Sequence, residues 1–292
     1  MKRLLITGAS GFLGWSLCHL ARDEWETFGT THTHTVSIPG VQGHQLDLTA
    51  ADDVTRTLQR IQPDAVIHTA AASNPNLCEA NPVDTRRINV DASVHLAALC
   101  SEAHIPCLFT STDLVFNGMN APYSETAPTS PISVYGMQKV MAEQGMMRVN
   151  PTVTVCRMPL MFGDPGPVAA SFIQSMIRAL KNGEALRLFT DEFRTPLSGS
   201  DAALGLLLAL KKAVTGIIHL GGVERVSRYD FGKMLAKAFG FIDARLVPCL
   251  RHDVPMPAPR PEDVSLDSSK ARALGFQSAP LLQSLRELAG KL

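Results

Sequence analysis

The sequence predicts an α/β fold, a doubly wound parallel sheet followed by a smaller C-terminal lobe. Three observations carry that prediction. Short apolar runs alternate with helix-period segments through the first 158 residues, the rhythm of repeated strand–helix crossovers. The first run, Arg3-Leu4-Leu5-Ile6-Thr7, is apolar almost throughout, as a strand buried on both faces requires. Three glycines, Gly8, Gly11 and Gly14, then follow it directly.

Each element follows from its local pattern. A helix is expected from about Gly11 to Arg22, then strands at Thr27–Thr31 and Gln42–Leu46, a helix at Asp52–Ile61 and a strand at Asp64–His68. Pro82 to Ala103 reads as one helix, with Val83, Ile88, Val94, Ala97 and Ala98 near a 3.6 period. Pro106–Ser111 is the fifth strand, Ile132–Arg148 a helix and Val153–Arg157 the sixth strand. Past residue 158 the rhythm loosens around Pro159, Gly163, Pro165, Gly166 and Pro167, so residues 1–158 are expected to bind a dinucleotide and 159–292 to form a substrate lobe. Helices near Ala169–Lys181 and Ser200–Lys212 and a strand at Gly216–Leu220 lie in that lobe, which is expected to be partly interwoven with the main sheet. The proline-rich stretch 254–263 reads as an irregular loop.

Composition narrows the function classes. Among 292 residues, Lys plus Arg and Asp plus Glu number 27 each, so no general field steers the chain to nucleic acid or anionic lipid. Neither is expected as a partner. The six cysteines show no C-x-x-C pair, which argues for reduced, mostly buried thiols and no zinc site; no metal ligand is assigned. No apolar stretch reaches the length needed to cross a bilayer, and a cytoplasmic location is expected.

The stretch ITGASGFLG suits a pyrophosphate. Glycine permits the tight turn and close backbone approach, and the helix beginning there presents N–H groups and a positive dipole end to an anion. Phe12 and Leu13, at the helix opening, belong to the same cofactor set. The second strand runs into GTTHTHT, where an NAD site usually carries an acid for the ribose hydroxyls; His32 stands near that place, with no arginine beside it. Without a carboxylate to repel a 2′-phosphate, NADP(H) is slightly preferred over NAD(H). Asp47, beside Leu48, is placed either to accept from the adenine amino group or to cap the next helix. Ala70, Ala71 and Ala72 leave room for backbone to pass a cofactor, and Asn89, a poor mid-helix residue, points to a specific buried hydrogen bond.

The catalytic candidates follow downstream. Tyr135 and Lys139 sit four apart on one helix, so their side chains are neighbours. A nearby ammonium is expected to lower the phenol pKa toward working pH, letting Tyr135 exchange a proton with a carbonyl or alcohol while hydride moves at carbon. Lys139 also suits the nicotinamide ribose. Ser111 and Thr112 close the fifth strand at the edge where parallel sheets gather ligands, with Thr112 the first choice as a donor to substrate oxygen; a turn or helix cap is the other reading. Arg194 and Arg260 suit bidentate contact with a diphosphate or carboxylate, or an ordinary ion pair.

Taken together, TGxxGxxG, the alanine loop, Asn89, the Ser/Thr strand end and YxxxK resemble the extended short-chain dehydrogenase/reductase family across essentially the whole chain. STDLVFNG, APYSETAPTSPISVYGMQK and RPEDVSLDSSKARALGF are similar to its dTDP-4-dehydrorhamnose reductase group. The resemblance implies a Rossmann-type fold, catalysis by Thr112, Tyr135 and Lys139, and reduction of a 4-keto nucleotide sugar contacted by Thr112, Asp113, Arg194 and Arg260. A homodimer is the family expectation. Leu114, Asn117 and Tyr123 depart from the group's usual residues, and Leu114 stands where related dehydratases carry the glutamate that dehydration needs. Two other functions remain open: a nucleotide-sugar epimerase, and a non-catalytic dinucleotide-binding subunit like the regulatory β subunit of methionine adenosyltransferase.

Overall fold

The protein is described by a computed structural model covering residues 1–291. Seven strands form the main sheet: β1 (Arg3–Thr7), β2 (Glu26–Thr31), β3 (Val41–Gln45), β4 (Ala65–His68), β5 (Cys107–Thr112), β6 (Thr154–Met158) and β7 (Gly216–His219). Their spatial order is β3-β2-β1-β4-β5-β6-β7, and every neighbouring pair is parallel. The order in which successive strands are added reverses between β1 and β4, which opens a crevice at their carboxyl ends. Thr7 lies level with Thr30 on one side and His68 on the other, and His68 level with Phe109, from which β5 runs on to Thr112.

Burial on both faces explains the apolar strands. Leu4 and Ile6 point into one core with Ile67, Leu108 and Cys156, whereas Leu5 points into the opposite core with Val66, Phe109 and Val155. Successive side chains alternate faces, so a strand with helices on both sides has no polar face to offer. The Phe12–Ala21 helix packs against Gly199–Lys211 over the first core. On the second face, Ala92–Glu102 packs against Val134–Val149.

The C-terminal part contributes β7 to the main sheet and builds a separate apolar cluster from Phe162, Ile173, Phe231, Leu235 and Leu285. Short ladders join Leu186–Phe189 to Leu246–Cys249 and Phe193–Arg194 to Val226–Ser227. Residues 254–263 carry no helix and no ladder strand. All six cysteines are buried and unpaired. Among the described residues no helix is long and apolar enough to cross a membrane.

One expected element differs. The Pro82–Ala103 helix is interrupted: α-helix at Pro82–Arg86, a π-turn at Arg87–Asp91, and α-helix again at Ala92–Glu102. The wider π-turn inserts one extra residue into the helical register. It carries Asn89, which is fully buried.

Candidate active site

At the crevice, the glycine loop is shaped by contacts no side chain tolerates. Gly8 adopts φ +75°, and a Cβ there would lie 2.9 Å from Ala70 Cα. A Cβ on Gly14 would lie 2.1 Å from the Gly8 carbonyl oxygen, so the helix can rise this close to the loop only without one. Gly11 donates to Gly8 O at 2.9 Å and caps the Phe12–Ala21 helix with no side-chain acceptor. The first helical N–H groups therefore lack a side-chain partner, as an anion site at a helix start requires.

The loop opens on a cavity of about 590 Å³. Gly8, Gly11, Phe12, Leu13 and Gly14 form its floor, Ala70, Ala71 and Ala72 one side, and His32, Asp47 and Leu48 one end. Ser111, Tyr135 and Lys139 line it as well. Candidate cofactor positions spread from residue 8 to residue 139 thus reduce to one surface, with Asn89 the exception among them in standing behind the wall. These lining residues come from five strand ends and two helices.

Asn89 holds the alanine loop from behind. Its Oδ1 accepts from Ala72 N at 2.8 Å, and its Nδ2 donates to Ala72 O at 3.1 Å and to Gln138 Oε1 at 2.8 Å. A second clamp reaches the loop through Thr7, whose Oγ1 accepts from the Thr69 and Ala70 N–H groups, both at 3.2 Å. The Thr7 hydroxyl then donates to His68 Nδ1 at 2.7 Å. That leaves the proton on Nε2, which donates to Ser93 Oγ at 2.9 Å, and Ser93 donates to Asn89 O at 2.9 Å. Burial lowers the His68 pKa to about 3, with the Lys139 charge adding to the effect. No local pattern signals this relay, because His68 and Ser93 read as ordinary residues of a strand and a helix.

Asp47 does not cap the following helix. Its Oδ1 accepts from Thr49 N and Oγ1, both at 2.8 Å, while Ala50 occupies the cap position. The reason is an Asx turn, which satisfies the carboxylate three residues before the helix cap. Arg87, Asp84 and Ile88 also reach the cavity, and sequence reading missed them because they lie some 40 residues from Asp47 in the chain.

At the other end, Lys139 is 2% exposed and donates to Thr110 O at 2.8 Å, with its ammonium 4.2 Å from the Phe109 ring centroid. It stands 6.0 Å from the Tyr135 ring centroid. The expected acidification of the phenol is not what these surroundings produce. Burial raises the Tyr135 pKa above its ordinary value, and the nearby Cys78 and Asp113 raise it further. Burial also lowers Lys139 to about 7, only partly opposed by Glu143 and Cys78. Desolvation outweighs the Tyr–Lys attraction, so Tyr135 is held as a protonated phenol, the form that can give a proton away.

The strand-end hydroxyls divide. Ser111 is on the cavity wall, but its proton goes to Glu143 Oε1 at 2.5 Å, and Glu143 is itself held by Arg157 at 2.7 and 3.0 Å. Thr112 is not on the wall. Its Oγ1 accepts from Leu114 N at 3.2 Å and caps the Asp113–Val115 turn, while its proton faces Asp113 Oδ1 at 3.3 Å. Asp113 and the two arginines also lie off the wall. Arg194, 3% exposed, bridges Asp113 at 3.5 Å and Glu192 at 3.3 Å. Burial raises Asp113 to about 6, partly offset by Arg194. Arg260 and Arg228 belong to the same charge cluster, and Arg260 Nε and Arg228 Nη1 are buried without a hydrogen-bond partner. Among the described residues, no group of three or more His, Cys, Asp or Glu is arranged to hold a metal ion.

Comparison with known proteins places this geometry. The RmlD substrate binding domain family matches residues 1–291. The probable low-salt glycan biosynthesis reductase Agl14 of Haloferax volcanii is 30% identical, covering 95% of this chain and 94% of that protein. Methionine adenosyltransferase 2 subunit beta of Mus musculus is 28% identical, covering 98% and 86%. A dTDP-4-dehydrorhamnose reductase structure from Clostridium acetobutylicum superposes with TM-score 0.88 at 26% identity, covering 99% of each chain. The Bacillus anthracis dTDP-4-dehydrorhamnose reductase in complex with NADP shares the fold with TM-score 0.89 at 23% identity, over 100% of each chain. The chain therefore belongs to the RmlD substrate binding domain family, within the NAD(P)-dependent oxidoreductases of the extended short-chain dehydrogenase/reductase type.

Proposed function

We propose that the protein is an NAD(P)H-dependent reductase of a 4-keto nucleotide sugar. The observation that carries the reading is the shared cavity, which joins a glycine cradle to a buried tyrosine held as a protonated phenol. A dinucleotide fits this wall, because the cradle accepts only backbone and the helix start offers unpartnered N–H groups. Gly8 to Gly14 would hold its pyrophosphate, Lys139 the nicotinamide ribose, and Asp47 the adenine. When bound, it would supply the hydride.

The chain's own part is proton transfer. Tyr135 O–H donates its proton to the substrate carbonyl oxygen as that carbon takes up hydride, so one C–H and one O–H bond form. A phenol raised by burial is the correct starting state for this direction. Lys139 stabilises the phenolate left behind, and its charge matters most at that moment. Thr112 holds the turn that places Asp113 beside Tyr135, Arg194 balances the buried Asp113 and Glu192 carboxylates, and Arg260, whose Nε has no hydrogen-bond partner, would supply a cation for a substrate diphosphate. The lack of a carboxylate at the end of β2 supports NADPH slightly over NADH.

The test is oxidation of NADPH and NADH with a panel of 4-keto nucleotide sugars. Tyr135→Phe should lower turnover by roughly 10²- to 10⁴-fold while still binding cofactor. The β subunit relative supports a second reading, a dinucleotide-binding regulator. Tight cofactor binding with no turnover on any sugar, together with co-purification of a larger enzyme, would favour that reading and reject the reductase.

A further inference from the structure

The end of the cavity farthest along the sheet from Tyr135 is made by Thr31, His32, Asp47 and Leu48 at the tips of β2 and β3. With a pyrophosphate on the Gly11 turn and nicotinamide at Tyr135, this end receives the adenosine. Two chemical groups distinguish dinucleotides there, a 2′-hydroxyl or a 2′-phosphate.

Arg87 reaches this end from the opposite side. It is the first residue of the π-turn and lines the cavity, and its positive charge is felt at Asp47, whose carboxyl lies below its ordinary pKa chiefly because Thr49 donates to it. Among the described residues the Arg87 guanidinium has no hydrogen-bond or ion-pair partner, whereas its neighbour Arg86 pairs with Asp91 at 3.4 Å. Asp47 is already engaged by Thr49 and lies 3.8 Å from His32 Nε2. The wall thus presents an uncommitted cation at the end that would receive the adenosine, and no carboxylate at the β2 end to accept from a 2′-hydroxyl. A guanidinium with free donors matches phosphate oxygens bidentately, and a neutral hydroxyl uses little of it.

We propose that Arg87 reads the 2′ position of the bound dinucleotide by pairing with the 2′-phosphate of NADP(H), with His32 flanking the same group. The assignment rests on the dinucleotide reading of the cavity and goes beyond it by naming the residue that sets cofactor choice. It also gives the π-turn a purpose, since the widened helix presents Arg87 to the cavity while turning Asn89 inward.

Calorimetric titration of NADPH, NADH, 2′,5′-ADP and 5′-AMP into the wild type, Arg87→Ala and Arg87→Lys tests it. In Arg87→Ala, affinity for NADPH and 2′,5′-ADP should fall roughly ten- to hundredfold, the scale of a lost charged hydrogen bond, and Arg87→Lys should fall between. The NADPH-to-NADH affinity ratio should collapse accordingly. Equal losses for both dinucleotides would mean that Arg87 stacks on adenine, and no change in either would mean that it faces water; each overturns the proposal. A wild type that binds neither dinucleotide would reject the cofactor reading itself. Arg87 is exposed, so its replacement leaves the core untouched.

Discussion

His68 gives the most quantitative forecast. It is fully buried with both ring nitrogens committed, so the folded protein holds it neutral, with a pKa lowered from 6.5 to about 3. The unfolded chain protonates it normally. A folded pKa below the unfolded one means that stability is fully present above about pH 6.5 and declines as pH falls toward the folded value. At pH 5 the loss is RT ln[(1 + 10^1.5)/(1 + 10^−2)], about 2 kcal/mol, and a folded pKa one unit higher leaves that figure almost unchanged. Urea unfolding at pH 8 and pH 5 on the wild type and His68→Gln measures it. The variant should be less stable at pH 8, because Gln cannot rebuild both hydrogen bonds, yet its pH 8-to-5 loss should be smaller by about 2 kcal/mol. His219, lowered to about 4 mainly by burial, titrates in the same window and is common to both proteins, so the difference isolates His68. Equal pH dependence in the two proteins would refute a neutral, clamped His68.

Two further substitutions probe the cradle and its support. Gly14→Ala places a Cβ 2.1 Å from the Gly8 oxygen, so loop and helix must separate; NADPH affinity should fall at least about tenfold, equivalent to 1.4 kcal/mol, while Gly43→Ala, with nothing nearer than 3.8 Å, serves as a benign control. Asn89→Leu strands the Ala72 N–H and the buried Gln138 Oε1, and leaves the Ala72 carbonyl only the weak Cys78 S–H at 3.3 Å; at about 1–3 kcal/mol per buried unpaired group it should lower stability in urea unfolding and weaken cofactor binding together.

The fold was legible because its signals are local. A strand buried on both faces must be apolar at every position, and Leu4, Leu5 and Ile6 say so without any knowledge of their neighbours. The glycine loop was equally plain, since Gly14 meets a steric demand from Gly8 set within seven residues. Lys139 shows where such reasoning stops. Spacing placed it near Tyr135, but how much each charge costs depends on the water excluded by Phe109, Cys78 and Glu143, which come from other parts of the fold or the next helical turn. Thr112 illustrates the same limit, because one step along β5 decides whether a hydroxyl faces the cavity or caps a turn.

By itself, then, the sequence determined the alternation of strands and helices, the place of the phosphate turn and the Tyr–Lys pair, all consequences of periodicity and backbone sterics over a few residues. Only the tertiary structure decided that His68 and Asn89 clamp the alanine loop, that Ser111 spends its proton on Glu143, and that Arg87 and Asp47 line one cavity. Those outcomes depend on desolvation and on contacts between residues tens of positions apart, and neither is encoded in any short window of the chain.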